Sequence, residues 1–260
     1  MPLTTGQVLQ GRYQIETLLG HGGMGAVYRA TDLTFGAAVA VKENLETTSK
    51  AQEQFAREAH LLYELRHPNL PRVTDYFFVP GQGQYLVMDF VEGRTLDEIV
   101  TYGPVSEARA LVWLSQILDA LEHLHKQNII HRDVKPANVK ITPQGRAFLV
   151  DFGLAKVHAP QQLTTTGARG VSPGFAPPEQ YGQGRTDERS DLYSLGATMY
   201  AIFTGQPPAD ALERVFGEFA LAPPGRLNPT ISPHVAAVIE RALQLKPADR
   251  FQSVAQLRAA

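Results

Sequence analysis

The run His131-Arg132-Asp133-Val134-Lys135-Pro136-Ala137-Asn138, followed 13 residues after Asn138 by Asp151-Phe152-Gly153, constrains this chain more than any other feature. A carboxamide at Asn138 and a carboxylate at Asp151, on neighbouring loops, supply hard oxygen donors of the kind that hold Mg²⁺. The other carboxylate, Asp133, is left to accept the proton of a hydroxyl. The bland alternative is three unrelated polar loop residues. It loses ground with each further signal that falls in order along the chain.

Two such signals lie upstream. Gly20-His21-Gly22-Gly23-Met24-Gly25 precedes Val27, and by itself this spacing is weak. In a dinucleotide-binding unit the glycines would open a helix. Here Ala26-Val27-Tyr28-Arg29 continues as strand, so the glycines cap a hairpin whose backbone N–H groups can approach phosphates closely. Val39-Ala40-Val41-Lys42 then ends an apolar strand on a lysine, and Glu58 follows 16 residues later on a helical pattern. Taken alone, Lys42 reads as a solvent-facing edge lysine. With Glu58 it becomes an ammonium that a carboxylate can hold against phosphate oxygens.

Hydrophobic residues make up 43% of the 260 and charged residues 19%, the balance of a globular chain with ample core. A net charge of −2 gives no support to a protein that coats nucleic acid. With no cysteine, disulfides, Cys-ligated zinc, iron–sulfur clusters and a thiol nucleophile are excluded. The start Met1-Pro2-Leu3-Thr4-Thr5-Gly6 lacks the basic-then-apolar pattern of a signal peptide. The longest apolar stretch free of charge, Leu192 to Gly205, is 14 residues, short of the roughly 20 a membrane span needs. It reads as a helix buried on all sides.

Strand signals cover 13–42, with a turn at Pro80-Gly81-Gln82-Gly83 joining strands at Val73–Phe78 and Tyr85–Met88. Ser49 to Leu65 carries Phe55, Ala59, Leu62 and Leu65 at helical spacing, with Ser49 as N-cap and His67-Pro68 as the stop. From Ser106 to His125, residues Ala110, Trp113, Leu114, Ile117, Leu121 and Leu124 form one helix face. Short strands are expected near Val139–Ile141 and Ala147–Val150, a loop over 151–180, and helices over 187–260 broken by the prolines of 223–233. The class is α+β: a small β-rich lobe with one long helix and a larger, mostly helical lobe, joined near Asp89 to Gly93.

In this order the motifs resemble those of the eukaryotic-type protein kinases, most closely the bacterial Ser/Thr kinases, over about 13–255. The set is completed by Ala176-Pro177-Pro178-Glu179. The resemblance implies one bilobal kinase domain over 1–260, with an N-lobe of about 10–88, a hinge of about 89–93 and a C-lobe of about 94–258. It implies that Leu19, Gly20, Gly22, Gly25 and Val27 cover ATP. Ala40, Met88, Asp89, Val91 and Lys140 would surround the adenine, Met88 as gatekeeper and Asp89 and Val91 through their backbone. Lys42, held by Glu58, would contact the α- and β-phosphates. Asp133 would take or orient the substrate hydroxyl, Lys135 would neutralise the γ-phosphate, and Asn138 and Asp151 would bind Mg²⁺, with Mn²⁺ as an alternative. Leu62, Val73, His131 and Phe152 match a hydrophobic column, Asp191 a buried anchor of the His-Arg-Asp backbone, and Arg250 the partner of Glu179.

The resemblance also implies a reaction and its control. Lys135, two residues after Asp133, marks the Ser/Thr-specific branch, and Ser172, seven residues before Glu179, takes the place of a hydroxyl that bonds Asp133 and Lys135. Thr164 and Thr166 have the spacing of paired activation-loop threonines. Arg132, with Lys156, would receive their phosphates after autophosphorylation between molecules. Partners would be proteins bearing Ser or Thr and a second copy of the chain, with no nucleic acid. The location would be the cytoplasm, alone or as the cytoplasmic part of a longer membrane-bound kinase. A catalytically silent kinase fold is disfavoured because every catalytic position is filled. A small-molecule kinase is disfavoured by the 28-position separation of Asp151 and Glu179, room for a peptide platform.

Overall fold

The computed structural model describes residues 3–22, 25–45, 48–151, 171–182 and 185–260. Gly23, Met24, Phe152, Gly153, Lys156, Thr164, Thr165 and Thr166 lie outside the described residues. The chain divides into two compact units, Met1–Val91 and Glu92–Ala260.

In the first unit the described strands are β1 (Val8–Leu9), β2 (Tyr13–Gly22), β3 (Gly25–Asp32), β4 (Ala37–Asn44), β5 (Val73–Val79) and β6 (Gly83–Asp89). They form one antiparallel sheet in the order β1-β2-β3-β4-β6-β5, with helix α1 (Ser49–Glu64) packed on β5 and β6. Alternation sorts the side chains, because residues paired across strands share a face. Tyr28 pairs with Val41 and Val41 with Val87, and these join Leu3, Tyr13, Ile15 and Tyr85 in the apolar cluster on one face. One position along, Val27 pairs with Lys42 and Lys42 with Leu86, and Ala40 with Met88, so these residues occupy the other face.

The second unit holds β7 (Arg94–Thr95), α2 (Leu96–Val100), α3 (Glu107–Lys126), β8 (Val139–Ile141), β9 (Ala147–Leu149), α4 (Glu188–Thr204), α5 (Ala211–Val215), α6 (Pro224–Leu227), α7 (Pro233–Ala242) and α8 (Val254–Ala259). Strands β7, β8 and β9 form a small antiparallel sheet in that order. The expected face of α3 is buried throughout, and α4 is buried from Ser190 to Phe203, as an all-round apolar helix must be. Gly205 ends α4 at φ 80°, a left-handed conformation that glycine adopts without strain. Among the described residues no helix is long and apolar enough to cross a membrane.

Three expectations need correction. Ser49 is the first residue inside α1 rather than its cap. Prolines of the 223–233 stretch start helices instead of only breaking them: Pro224 opens α6, and Pro233 opens α7 behind the Ser232 cap, where a missing N–H costs nothing. The expected loop of 151–180 ends in a 3₁₀ turn at Pro178–Gln180.

Candidate active site

In the second unit, the segment between α3 and β8 is fastened from below. Asp191, on α4, is fully buried and accepts hydrogen bonds from the backbone N–H groups of His131 (2.9 Å) and Arg132 (2.8 Å). The His125 Nε2 lies 2.8 Å from the same carboxylate. Burial pushes the Asp191 carboxyl up, but these bonds outweigh it and hold it below the usual carboxylate range. His131 is also fully buried, and desolvation lowers its pKa, so the ring is neutral near pH 7. Arg132 takes φ 66°, a left-handed conformation that strains a residue with a Cβ. Asp191 secures its N–H, and the Gln180 side chain donates to its carbonyl at 2.8 Å.

That fastening aims Asp133. Its Oδ2 accepts from the Lys135 ammonium at 2.8 Å and from the Asn138 amide at 2.8 Å. Its Oδ1 accepts from the Ser172 hydroxyl at 2.8 Å, and Ser172 in turn accepts from Lys135 at 2.8 Å. Lys135 and Asp133 are 26% and 25% exposed, so solvent screens the pair and it adds little to stability. What the closed ring of bonds fixes is orientation. Four residues read from the sequence, Asp133, Lys135, Asn138 and Ser172, are thus brought into mutual contact.

Asn138 closes a 3₁₀ turn that Pro136 opens, and its amide nitrogen also donates to the Asp133 carbonyl at 2.8 Å. With that nitrogen committed twice, the side-chain oxygen is the atom left to face a cation. The β8–β9 pairing extends through Val150 N–H to Asn138 O at 2.8 Å, which sets Asp151 beside this turn. Asp151 also takes a left-handed φ, 54°. An amide oxygen and a carboxylate are a hard donor set, and Mg²⁺ commonly takes one or two protein oxygens with phosphate and water completing the shell. Among the described residues no cluster of three or more His, Cys, Asp or Glu competes for a metal. The residues present therefore fit a hard divalent ion.

Lys140, on β8, is half-buried, and desolvation lowers its pKa. Its ammonium reaches the Gly93 carbonyl at 3.4 Å.

In the first unit, Val27, Ala40, Lys42 and Met88 share the sheet face opposite the apolar cluster. Glu58, on α1, is buried and accepts from the Gln54 amide at 2.9 Å. Leu19, Gly20 and Gly22 lie on β2, and Leu19 is exposed. Gly25 opens β3 at φ 151°, where a Cβ would stand 1.8 Å from the Glu43 carbonyl oxygen, so only glycine fits. Asp89 ends β6, its N–H bonded to the Arg72 carbonyl at 2.9 Å, and Val91 is buried.

Sequence reasoning passed over His125 and Gln180, which hold the Asp191 and Arg132 contacts. His125 lies on the α3 face that carries Leu121 and Leu124, and a histidine among core positions was the available signal. Gln180 directly follows Glu179 and had no signal of its own.

Comparison with protein families matches the protein kinase domain over residues 13–259. The chain is 38% identical over 96% of its length to serine/threonine-protein kinase pkn2 of Myxococcus xanthus, covering 32% of that protein. It is 37% identical over 99% of its length to serine/threonine-protein kinase PknB of Mycolicibacterium smegmatis, and 35% identical over 95% to PknH of Mycobacterium bovis, covering 43% of each. The chain thus spans less than half the length of these relatives. The ring of contacts around Asp133, its anchor on Asp191 and a match that runs through both units converge on one conclusion: the chain belongs to the protein kinase domain family.

Proposed function

We propose that this chain is a serine/threonine protein kinase that moves the γ-phosphoryl group of Mg-ATP to hydroxyls of protein substrates. The observation that carries the reading is the Asp133 carboxylate, held on both oxygens by Lys135, Asn138 and Ser172. A carboxylate so fixed can orient a substrate hydroxyl and take its proton. Lys135 beside it offsets charge on the transferring group, and the contribution of such positioning and charge is the bulk of phosphoryl-transfer catalysis. Asn138 and Asp151 would hold the divalent ion, Mg²⁺ with Mn²⁺ able to replace it, which supplies charge neutralisation at phosphate oxygens.

The first unit's share of the reading follows from its sheet. Lys42, with Glu58, would meet phosphate oxygens. Gly20, Gly22 and Gly25 would lend backbone N–H groups to the same phosphates. Leu19, Val27, Ala40 and Met88, with the backbone of Asp89 and Val91, would receive the adenine. Thr164 and Thr166 are proposed as sites of autophosphorylation by a second copy, read by Arg132. Cytoplasmic ATP and protein substrates suit such a chain, alone or within a longer protein.

Mass spectrometry of the protein after incubation with Mg-ATP tests this. Phosphoserine and phosphothreonine are expected, with phosphate between residues 154 and 172. Phosphotyrosine as the main product, or no incorporation into the chain or an added protein, would sink the reading. A second measurement separates binding from chemistry. Mg-ATP should raise the melting temperature, because binding to the native state stabilises it by roughly 2.7 kcal/mol at a hundredfold excess over Kd. ATP with EDTA should do less, and Asp151→Ala should remove the metal-dependent part. An identical shift in Asp151→Ala would take that residue out of the metal site.

A further inference from the structure

Glu43 follows Lys42 on β4 and faces the other way, toward the apolar cluster. It is 2% exposed, yet both oxygens are engaged by neutral hydroxyls: Oε2 by Tyr28 at 3.2 Å and Oε1 by Tyr85 at 3.1 Å. The Tyr28 oxygen also accepts the Leu3 backbone N–H at 3.1 Å, so the N-terminal segment joins the group. Burial is the largest cause raising both phenols above their ordinary pKa, and the Glu43 charge adds to it, so both remain protonated donors. A carboxylate buried among Leu3, Val41 and Val87 is costly to desolvate, and apolar residues at 43, 28 and 85 together would fill the space with less penalty. Packing alone does not account for a glutamate here.

Its position does. Tyr28 lies on β3 and Tyr85 on β6, the two strands that flank β4. The carboxylate therefore clamps β4 sideways to both neighbours, one residue beyond Lys42. The same residue's carbonyl oxygen is the surface on which Gly25 rests, at the point where the glycine hairpin returns to the sheet. We infer that Glu43 is a positioning residue for nucleotide binding: through Tyr28 and Tyr85 it fixes the stretch of β4 that aims Lys42 and seats Gly25, with Leu3 completing the clamp. The inference rests on the kinase reading above and adds to it a residue on the far face of the sheet that never meets the nucleotide.

The test compares Glu43→Leu, Glu43→Gln and Tyr85→Phe with wild type. It measures melting temperature, calorimetric Kd for Mg-ATP, and KM for ATP and kcat on the folded fraction. Glu43→Leu is expected to lower the melting temperature, because the buried Tyr28 and Tyr85 hydroxyls lose their acceptor, and on the folded protein Kd and KM for ATP should rise at least about tenfold, since small displacements of positioning groups carry effects of that size or more. Glu43→Gln, which keeps one oxygen for a tyrosine, should recover most of the affinity. Tyr85→Phe should weaken binding with the carboxylate still present, and it serves as the test should Glu43→Leu not fold. A folded Glu43→Leu or Tyr85→Phe with Kd within about twofold of wild type overturns the inference, as does a lowered melting temperature with unchanged Kd, the mark of a purely structural residue. Wild type that binds no Mg-ATP removes the kinase reading and this inference together. Wild-type binding with unaltered variants removes only the inference.

Discussion

Asp133→Asn should lower kcat by at least about 10²–10⁴-fold, the range typical of a general base, while Kd for Mg-ATP and the melting temperature stay near wild type. The structure explains why the fold should tolerate the change. An asparagine can keep its oxygen toward Lys135 and Asn138, the two donors now on Oδ2. Its NH₂ then replaces Oδ1 opposite Ser172, whose hydroxyl can turn from donor to acceptor. Hydrogen bonding thus survives with little rearrangement, and the backbone on either side remains fixed by Asp191. What is lost is the negative charge and the basic oxygen that a substrate hydroxyl needs. Measured turnover toward a generic protein substrate, set against calorimetric Kd, decides the matter. Normal turnover in a folded Asp133→Asn would strip Asp133 of its proposed role. A matching loss in Kd would instead make it a binding residue.

Local chemistry made much of this legible from sequence. Periodicity alone placed the buried face of α3, and the charge-free run at 192–205 marked α4 as a core helix because no surface helix can be apolar all round. Asp133 and Asn138 were readable because they stand within six residues of one another in a loop with two further motifs in order, and Lys135 between them followed from the resemblance those motifs carry. Ser172 was singled out by the resemblance, from its distance to Glu179, and the structure closes it onto Asp133. Short elements escaped. β1 and β7 are two residues each and carry no periodicity. α2 spans five residues, although Thr95 and Glu98 form a capping box that was there to be read. Contacts between distant segments escaped for a different reason. Gln180 to Arg132 spans 48 residues and Tyr85 to Glu43 spans 42, and no local pattern encodes either. Even the odd glutamate after Lys42 gave no hint in sequence of its burial between two tyrosines.

Glu179→Ala should be among the most damaging single substitutions in the second unit, because it strands the most deeply buried cation described. The Arg250 side chain is 0% exposed and Glu179 is 11% exposed. Every N–H of the guanidinium is used. Nε donates to Gln244 O at 2.7 Å, and Nη1 to Glu179 Oε1 at 2.7 Å and Arg189 O at 3.2 Å. Nη2 donates to Glu179 Oε2 at 2.9 Å and Leu245 O at 2.8 Å, while the group lies 4.8 Å from the Tyr193 ring centroid. Three backbone carbonyls would still surround the cation without Glu179, but the carboxylate bonded to both of its terminal nitrogens would be gone. Removing one partner of a buried pair typically costs about 3–5 kcal/mol. For a chain of this size that corresponds to a melting temperature lower by about 6–20 °C. Arg250→Met should cost a similar amount by a different route, orphaning the carbonyls of Gln244 and Leu245 and leaving Glu179 with Ser190 at 2.8 Å. The double variant Glu179→Leu with Arg250→Met should lose less than the sum of the two single changes, since neither charge is then buried alone. Activity should fall with stability, because Gln180, which holds the strained Arg132, is the next residue along from Glu179. Thermal denaturation of the three variants settles the point: a shift under about 2 °C in both single variants, or strictly additive losses in the double, would show that the pair does not anchor the segment.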